Sequence, residues 1–263
     1  MVALSASNRI FREHALAVRE ISPADLGWAL REGWRDYRDR RGDVIVLGFI
    51  YPAVGILASA LVANRSMFPL IFPLGAGLAI LGPAVASGFY EIARRREAGM
   101  DVSWRHFFDP FLGRPGGAIL ALGLGLAVLF SLWVAAAWGV YSITLGRLSP
   151  SGTGEFLSLL FTTGEGWSMI VLGNLVGLVF AAIAFAVSWA SFPMVVDRGG
   201  HPLAAVETSI DALRRNPKVA VAWGVQVALI LLIASLPLFI GLAVALPVLG
   251  YATWHLYTRL VER

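Results

Sequence analysis

The chain has no cysteine, which excludes disulfides, thiol catalysis, iron–sulfur ligation and thiolate-bound zinc. Charge is scarce as well: Asp, Glu, Lys and Arg make up 14% of the 263 residues, against roughly 25% in a soluble domain. No polar stretch is long enough to fold a core of its own. Only four histidines are present, His14, His106, His201 and His255, and no pair has metal-ligand spacing such as HExxH. A phosphate loop and a Gly-x-Ser-x-Gly nucleophile turn are missing too. Runs such as Gly123-Leu124-Gly125 follow no strand pattern and read as packing glycines. No cleavable signal peptide is expected, because a long charged and polar region precedes the first apolar run.

What the chain does have is apolar residues, 57% of the total, with a mean hydropathy of +0.72. They come in blocks. About twenty apolar residues in a helix cross a hydrocarbon core of ~30 Å. The stretch from Met67 holds such a block, closed by Arg94, Arg95 and Arg96. The pattern predicts an all-α, polytopic transmembrane helical bundle with six spans, at 44–63, 67–90, 115–144, 167–192, 217–236 and 238–258. Residues 1–21 read as a flexible cytoplasmic arm and 22–263 as a single membrane domain. The third span exceeds what a bilayer needs and is expected to tilt. The last two share one apolar block, with Ser235 and Pro237 marking the turn.

Charge placement supports that layout. Nineteen of the 21 Lys and Arg residues fall before span one, between spans two and three, between spans four and five, or after span six. The other side carries only Arg65 and Arg147. Such asymmetry implies six spans with both the N- and the C-terminus in the cytoplasm. It also accounts for a pI of 9.8 without nucleic acid.

Each cytoplasmic segment ahead of an odd span carries a short amphipathic pattern, predicting interfacial helices at 23–40, 103–112 and 202–215. The first opens on Ser22-Pro23-Ala24-Asp25, a serine cap with proline at the first helical position. It continues through Leu26, Leu30, Gly33, Trp34 and Tyr37, and Gly42-Asp43 are expected to end it. The second runs Trp104, Phe107, Phe108, Phe111, and the third Leu203, Val206, Ile210, Leu213. Interfacial helix, basic breaker, then two spans suggests a threefold repeat with all copies in one orientation. Any helix entering a membrane from its basic side has the same look, so both readings stand.

Several positions stand out as a candidate polar pocket. Glu91 and His255 end equivalent spans of the proposed repeat, with Asp197 in the third copy. Together they could face a lipid headgroup or a partner's charge; the plainer reading is that they are ordinary helix-end residues. Asn174 and Gln226 are the strongly polar side chains well inside spans. Gly173 and Gly177 form a GxxxG pattern that admits close helix packing. No ionisable residue falls in the central third of a span, which speaks against a proton-coupled pump. Most tryptophans, including Trp28, Trp34, Trp104, Trp189, Trp223 and Trp254, suit the interfacial belt. The segment from Thr153 to Thr163 reads as a short interfacial helix on the far side.

Ile21-Ser22-Pro23-Ala24-Asp25-Leu26, Gly33-Trp34-Arg35-Asp36, Gly82-Pro83 and Phe89-Tyr90-Glu91-Ile92 resemble an uncharacterised family of bacterial integral membrane proteins, domain of unknown function 2189. The likeness continues through Ser191-Phe192-Pro193 with Asp197, and through Leu246-Pro247-Val248-Leu249-Gly250 with Trp254-His255-Leu256-Tyr257. A more distant similarity is to the membrane domains of glycerophosphodiester phosphodiesterases. Some family members are labelled as resembling a cytochrome oxidase subunit, which implies haem. Two-histidine ligation needs imidazoles at matched depth inside the bilayer, and only His255 lies near a span. The resemblance implies a membrane bundle and carries over no catalytic residue.

The expectation is therefore a non-catalytic accessory or scaffold component of a membrane complex. Its expected partners are membrane lipids and other membrane protein subunits, with no cofactor, metal or nucleic acid. The alternative is a transporter, channel or lipid-handling protein. A membrane enzyme would need acids, bases or metal ligands clustered at the cytoplasmic face.

Overall fold

A computed structural model describes residues 16–48, 71–237 and 240–263, with side chains described outside 40–48 and 71–79. Ten α-helices follow in chain order among these residues: α1 (Pro23–Gly48), α2 (Ile71–Glu97), α3 (Asp109–Leu112), α4 (Gly116–Ile143), α5 (Thr153–Thr162), α6 (Gly164–Ser188), α7 (Ser191–Arg198), α8 (Pro202–Arg215), α9 (Pro217–Ser235) and α10 (Leu242–Leu260). Short 3-10 helices cover Trp104–Phe108 and Leu145–Leu148. Among the described residues there is no β-strand, so the all-α expectation holds.

Three segments are long and apolar enough to cross a membrane: Gly116–Ile143, Gly164–Arg198 and Pro217–Ser235. They coincide closely with the expected third, fourth and fifth spans. Most of the expected first span, 44–63, lies outside the described residues. The expected second and sixth spans fall on α2 and α10, which do not meet the same criterion among the described residues. Helix α10 carries Tyr251, Trp254, His255, Tyr257 and Arg259 in its second half, and that composition suits protein contact better than lipid.

Helix α1 corrects one expected boundary. It runs unbroken through Arg40-Arg41-Gly42-Asp43 to Gly48. A glycine inside a helix costs only about 1 kcal/mol relative to alanine, too little to stop a helix that continues into an apolar block. Its start matches the sequence: Asp25 Oδ2 accepts from Ser22 N at 2.8 Å, with Pro23 at the first helical position.

The chain divides into two units. The first draws on Met1–Ala53, Pro83–Gly123 and Phe185–Arg263. Its centre is the pair α1 and α10, brought together at Gly33. A Cβ there would sit 2.7 Å from the backbone N of Ala252 and the backbone O of Val248. Two further close approaches extend the packing. Gly250 lies against Phe89 of α2, and Gly88 lies under the Phe107 ring, where a Cβ would meet carbon atoms at 2.6 and 2.3 Å respectively. Phe89 and Phe107 also meet edge to face at 5.0 Å.

Helix α2 ends on Gly99, whose φ of 65° belongs to the left-handed region. Met100 N donates to Arg95 O at 2.9 Å and Gly99 N to Arg96 O at 3.1 Å, the paired closure of a Schellman turn. Between α6 and α7 the helix breaks at Trp189-Ala190, and the Ala190 amide donates to buried Ser209 Oγ at 3.0 Å. Buried α7 residues from Ser191 to Val196 then complete the core.

Residues 16–21, expected to belong to a flexible arm, form a strap. Val18 bridges Val261 in antiparallel fashion. Arg19 N donates to Leu260 O at 2.8 Å and Glu262 N to Ala17 O at 2.9 Å. The Asn216 side chain grips the strap from both sides, accepting from Ile21 N at 2.8 Å and donating to Arg19 O at 2.9 Å. Residues 1–15 of the expected arm lie outside the described residues.

The second unit draws on Val54–Gly82 and Leu124–Ala184. Trp133 of α4 lies over Gly177 of α6, where a Cβ would come within 2.9 Å of its ring, and Phe180 flanks it at 5.8 Å. Tyr141 meets Phe156 of α5 at 6.3 Å, and the helix expected at 153–163 is present. The remaining faces carry exposed Val128, Leu132, Leu175 and Leu178. In water such surface would be a liability; in a bilayer it is the solvated face.

Candidate functional site

The polar residues of the first unit form a connected set around the end of α2. Spacing alone explains why the arginine triplet splits three ways, since successive helical residues point about 100° apart. Arg94 and Arg95 turn back to Glu91, one helical turn earlier. Arg94 Nε and Nη2 donate to the two Glu91 oxygens at 2.8 and 2.7 Å, and Arg95 Nε donates to Oε1 at 2.8 Å. The Glu91 hydrogen bonds hold the Arg94 guanidinium above its ordinary pKa. Arg95 Nη2 also reaches Asp109 of α3 at 2.7 Å.

Arg96 faces α1. Its Nε lies 3.2 Å from Asp36 Oδ1, its Nη1 donates to the Asp36 carbonyl at 3.2 Å, and it also pairs with Asp39. The Arg96 hydrogen bond lowers the pKa of exposed Asp39. The other Asp36 oxygen lies 2.8 Å from His255 Nε2 on α10. Asp36 is only 7% exposed, so the histidine and arginine replace most of its water.

His255 packs edge-on against Trp28 at 5.6 Å. Arg259 stacks 3.9 Å from the Trp28 ring centre and donates to Asp25 Oδ1 at 2.8 Å. The Asp25 pKa is lowered, chiefly by the backbone hydrogen bond from Ser22.

A second cluster gathers around Arg263. It donates to Glu97 Oε1 at 2.6 Å and grips Asp197 through two bonds of 3.1 and 3.2 Å. Tyr257 OH donates to Asp197 at 3.1 Å and Trp254 Nε1 to Glu97 at 3.0 Å. Glu97, Trp254 and Asp197 thus hold α2, α10 and α7 together.

These contacts place the sequence-derived candidates individually. Glu91, His255 and Asp197 all lie in the first unit, and each has its own partners: Glu91 the two arginines, His255 Asp36, and Asp197 Arg263 with Tyr257. Gln226 is also in the first unit, its buried Oε1 without a hydrogen-bond partner among the described residues. Asn174 belongs to the second unit and donates to Ile170 O of its own helix at 2.7 Å. Gly177 receives the Trp133 ring, whereas a Cβ on Gly173 would meet nothing within 4 Å among the described residues.

Sequence reading missed Asp36, Arg96 and Glu97. Their partners lie many residues away, and no local pattern in the sequence reports them. Among the described residues, no three His, Cys, Asp or Glu side chains gather into a group that could hold a metal ion.

Residues 71–197 match the family described as "Predicted integral membrane protein (DUF2189)". That match agrees with the long apolar helices: the chain is an integral membrane protein. The matched region contains Glu91, the arginine triplet, Asp109, Asn174 and Asp197. No curated protein and no solved structure matches the chain.

Proposed function

We propose that this protein is a non-catalytic accessory or scaffold component of a complex in the bacterial cytoplasmic membrane. In this reading six spans carry both termini on the cytoplasmic side, as three copies of an interfacial helix and a hairpin. One observation carries it. The acids, arginines and histidine of the polar centre satisfy one another, leaving a braced platform in place of a poised acid, base or nucleophile. Buried networks of this kind specify a single arrangement of helices.

The test isolates the full chain in nanodiscs cut from native membranes, as parent and as Glu97→Gln. A scaffold is expected to retain a stoichiometric membrane-protein partner, and to lose both that partner and thermal stability when Glu97 is neutralised. A monomer with no partner, and with unchanged melting in the variant, overturns the reading. Topology is tested separately in this cysteine-free chain, by placing single cysteines next to Arg96 and near Arg147 and labelling from each side.

The alternative, a transporter, channel or lipid-handling protein, draws on Gln226. Its Oε1, without a hydrogen-bond partner among the described residues, sits on an apolar helix and is the kind of group a water or headgroup would satisfy. Solute flux or lipid transfer in reconstituted vesicles, abolished by Gln226→Leu, would favour it over the scaffold.

A further inference from the structure

The segment from Met100 to Arg114 is fastened on one side and bare on the other. Phe107 is buried over Gly88 and against Phe89. The ion pair from Arg95 to Asp109 holds the segment at a second point. Its backbone is closed by Ser103, whose N donates to His106 Nδ1 at 3.0 Å and whose Oγ accepts from Arg105 N at 3.3 Å. Around it Trp104, Phe108, Phe111 and Leu112 are left exposed, the last at 86%. Arg105 lies over the Trp104 ring at 5.8 Å, and exposed Arg114 follows.

Aromatic side chains held outward on a fixed scaffold, with arginines at their edge, match the layered chemistry of a bilayer surface. We propose that this face is seated in the anionic headgroup layer, with Trp104, Phe108, Phe111 and Leu112 below the phosphates and Arg105 and Arg114 paired to them. Two observations select lipid as the occupant. The segment leads within four residues into α4, a helix apolar enough to cross a membrane and already baring Leu120. The charge also has the right sign: Asp109 is taken up by Arg95, leaving Asp101 as the acid at the foot of the segment beside the two arginines. The inference requires membrane residence and is independent of the scaffold role.

The absence of cysteine permits a clean test. The full chain carrying Leu112→Cys is spin-labelled and reconstituted into phosphatidylcholine vesicles with and without phosphatidylglycerol. The label is expected to collide with oxygen in preference to a water-soluble nickel complex, placing it below the headgroups. Brominated phosphatidylglycerol is expected to quench the Trp104 fluorescence, read as parent minus Trp104→Phe, about twofold more than brominated phosphatidylcholine. Arg105→Gln with Arg114→Gln should remove that excess and leave the phosphatidylcholine quenching in place. A Leu112 label open to the nickel complex, or one shielded from both oxygen and nickel by protein, overturns the proposal. So does equal quenching by the two lipids. If Trp104→Phe fails to fold, the Leu112 label decides alone, since that side chain touches little.

Discussion

The two units of this protein are both helical and pack by opposite logic. In the first, helices approach until glycine is the only residue that fits, and charged side chains link them: Asp36 joins α1 to α10 and α2, and Glu97 joins α2 to α10. In the second, one tryptophan lies over one glycine, and many large apolar side chains face outward. The outward apolar faces of the second unit suit lipid, as do those of α9 in the first. Where the surroundings are hydrocarbon, burying leucine against leucine gains little, so contact relies on shape. Where water reaches the chain, apolar burial and paired charge can both contribute.

The sharpest way to break this contrast is at the α1–α10 crossing. Gly33→Leu drives a side chain into the Ala252 and Val248 backbone and is expected to cost about 3 kcal/mol, seen as a large drop in melting temperature in detergent. A shift no greater than that of a surface substitution would mean the crossing is loose. Glu91→Ala comes next. It strands Arg94 and Arg95, but both are partly exposed, so the expected loss is about 2 kcal/mol, below that of a fully buried pair.

The third comparison sets two glycines of one helix against each other. Gly177→Ala meets the Trp133 ring and should cost about 1 kcal/mol. Gly173→Ala meets open space and should gain about 0.5 kcal/mol from helix propensity. Equal effects on thermal unfolding would erase the described contact.

The smallest effect concerns pH. The folded Asp25 pKa is lowered, so its stabilisation is complete above the ordinary Asp value and is lost as pH falls through the folded one. Parent protein should therefore lose more stability than Asp25→Asn on acidification from about pH 5 to about pH 2. Parallel profiles would remove Asp25 from the account.

Helix class, membrane residence and most helix positions were legible because apolar block length and capping residues are local signals. Ser22-Pro23 and Pro202 mark starts that the structure keeps. Gly42 was a false stop because a lone glycine is a weak penalty inside a long helix. Helix α10 is apolar in its first half, Leu242 to Leu249, and rich in rings that pack against α1 and α2 in its second. Glu91 and His255 stand out in the sequence because both end apolar runs, and their partners do not. Which acid meets which base depends on helix rotation, and composition carries no trace of that. The arginine triplet marks the end of an apolar block in the sequence; that all three guanidiniums have carboxylate partners shows only in the fold.

The glycine contacts at 33, 88 and 250 have an evolutionary corollary. Each pairs an absent side chain with an occupied space opposite, so volume at the two positions is shared. Related chains that enlarge residue 250 must shrink residue 89, and those that enlarge residue 88 must give up the ring at 107. Drift at these sites should proceed in matched pairs, a signature visible to anyone aligning enough relatives.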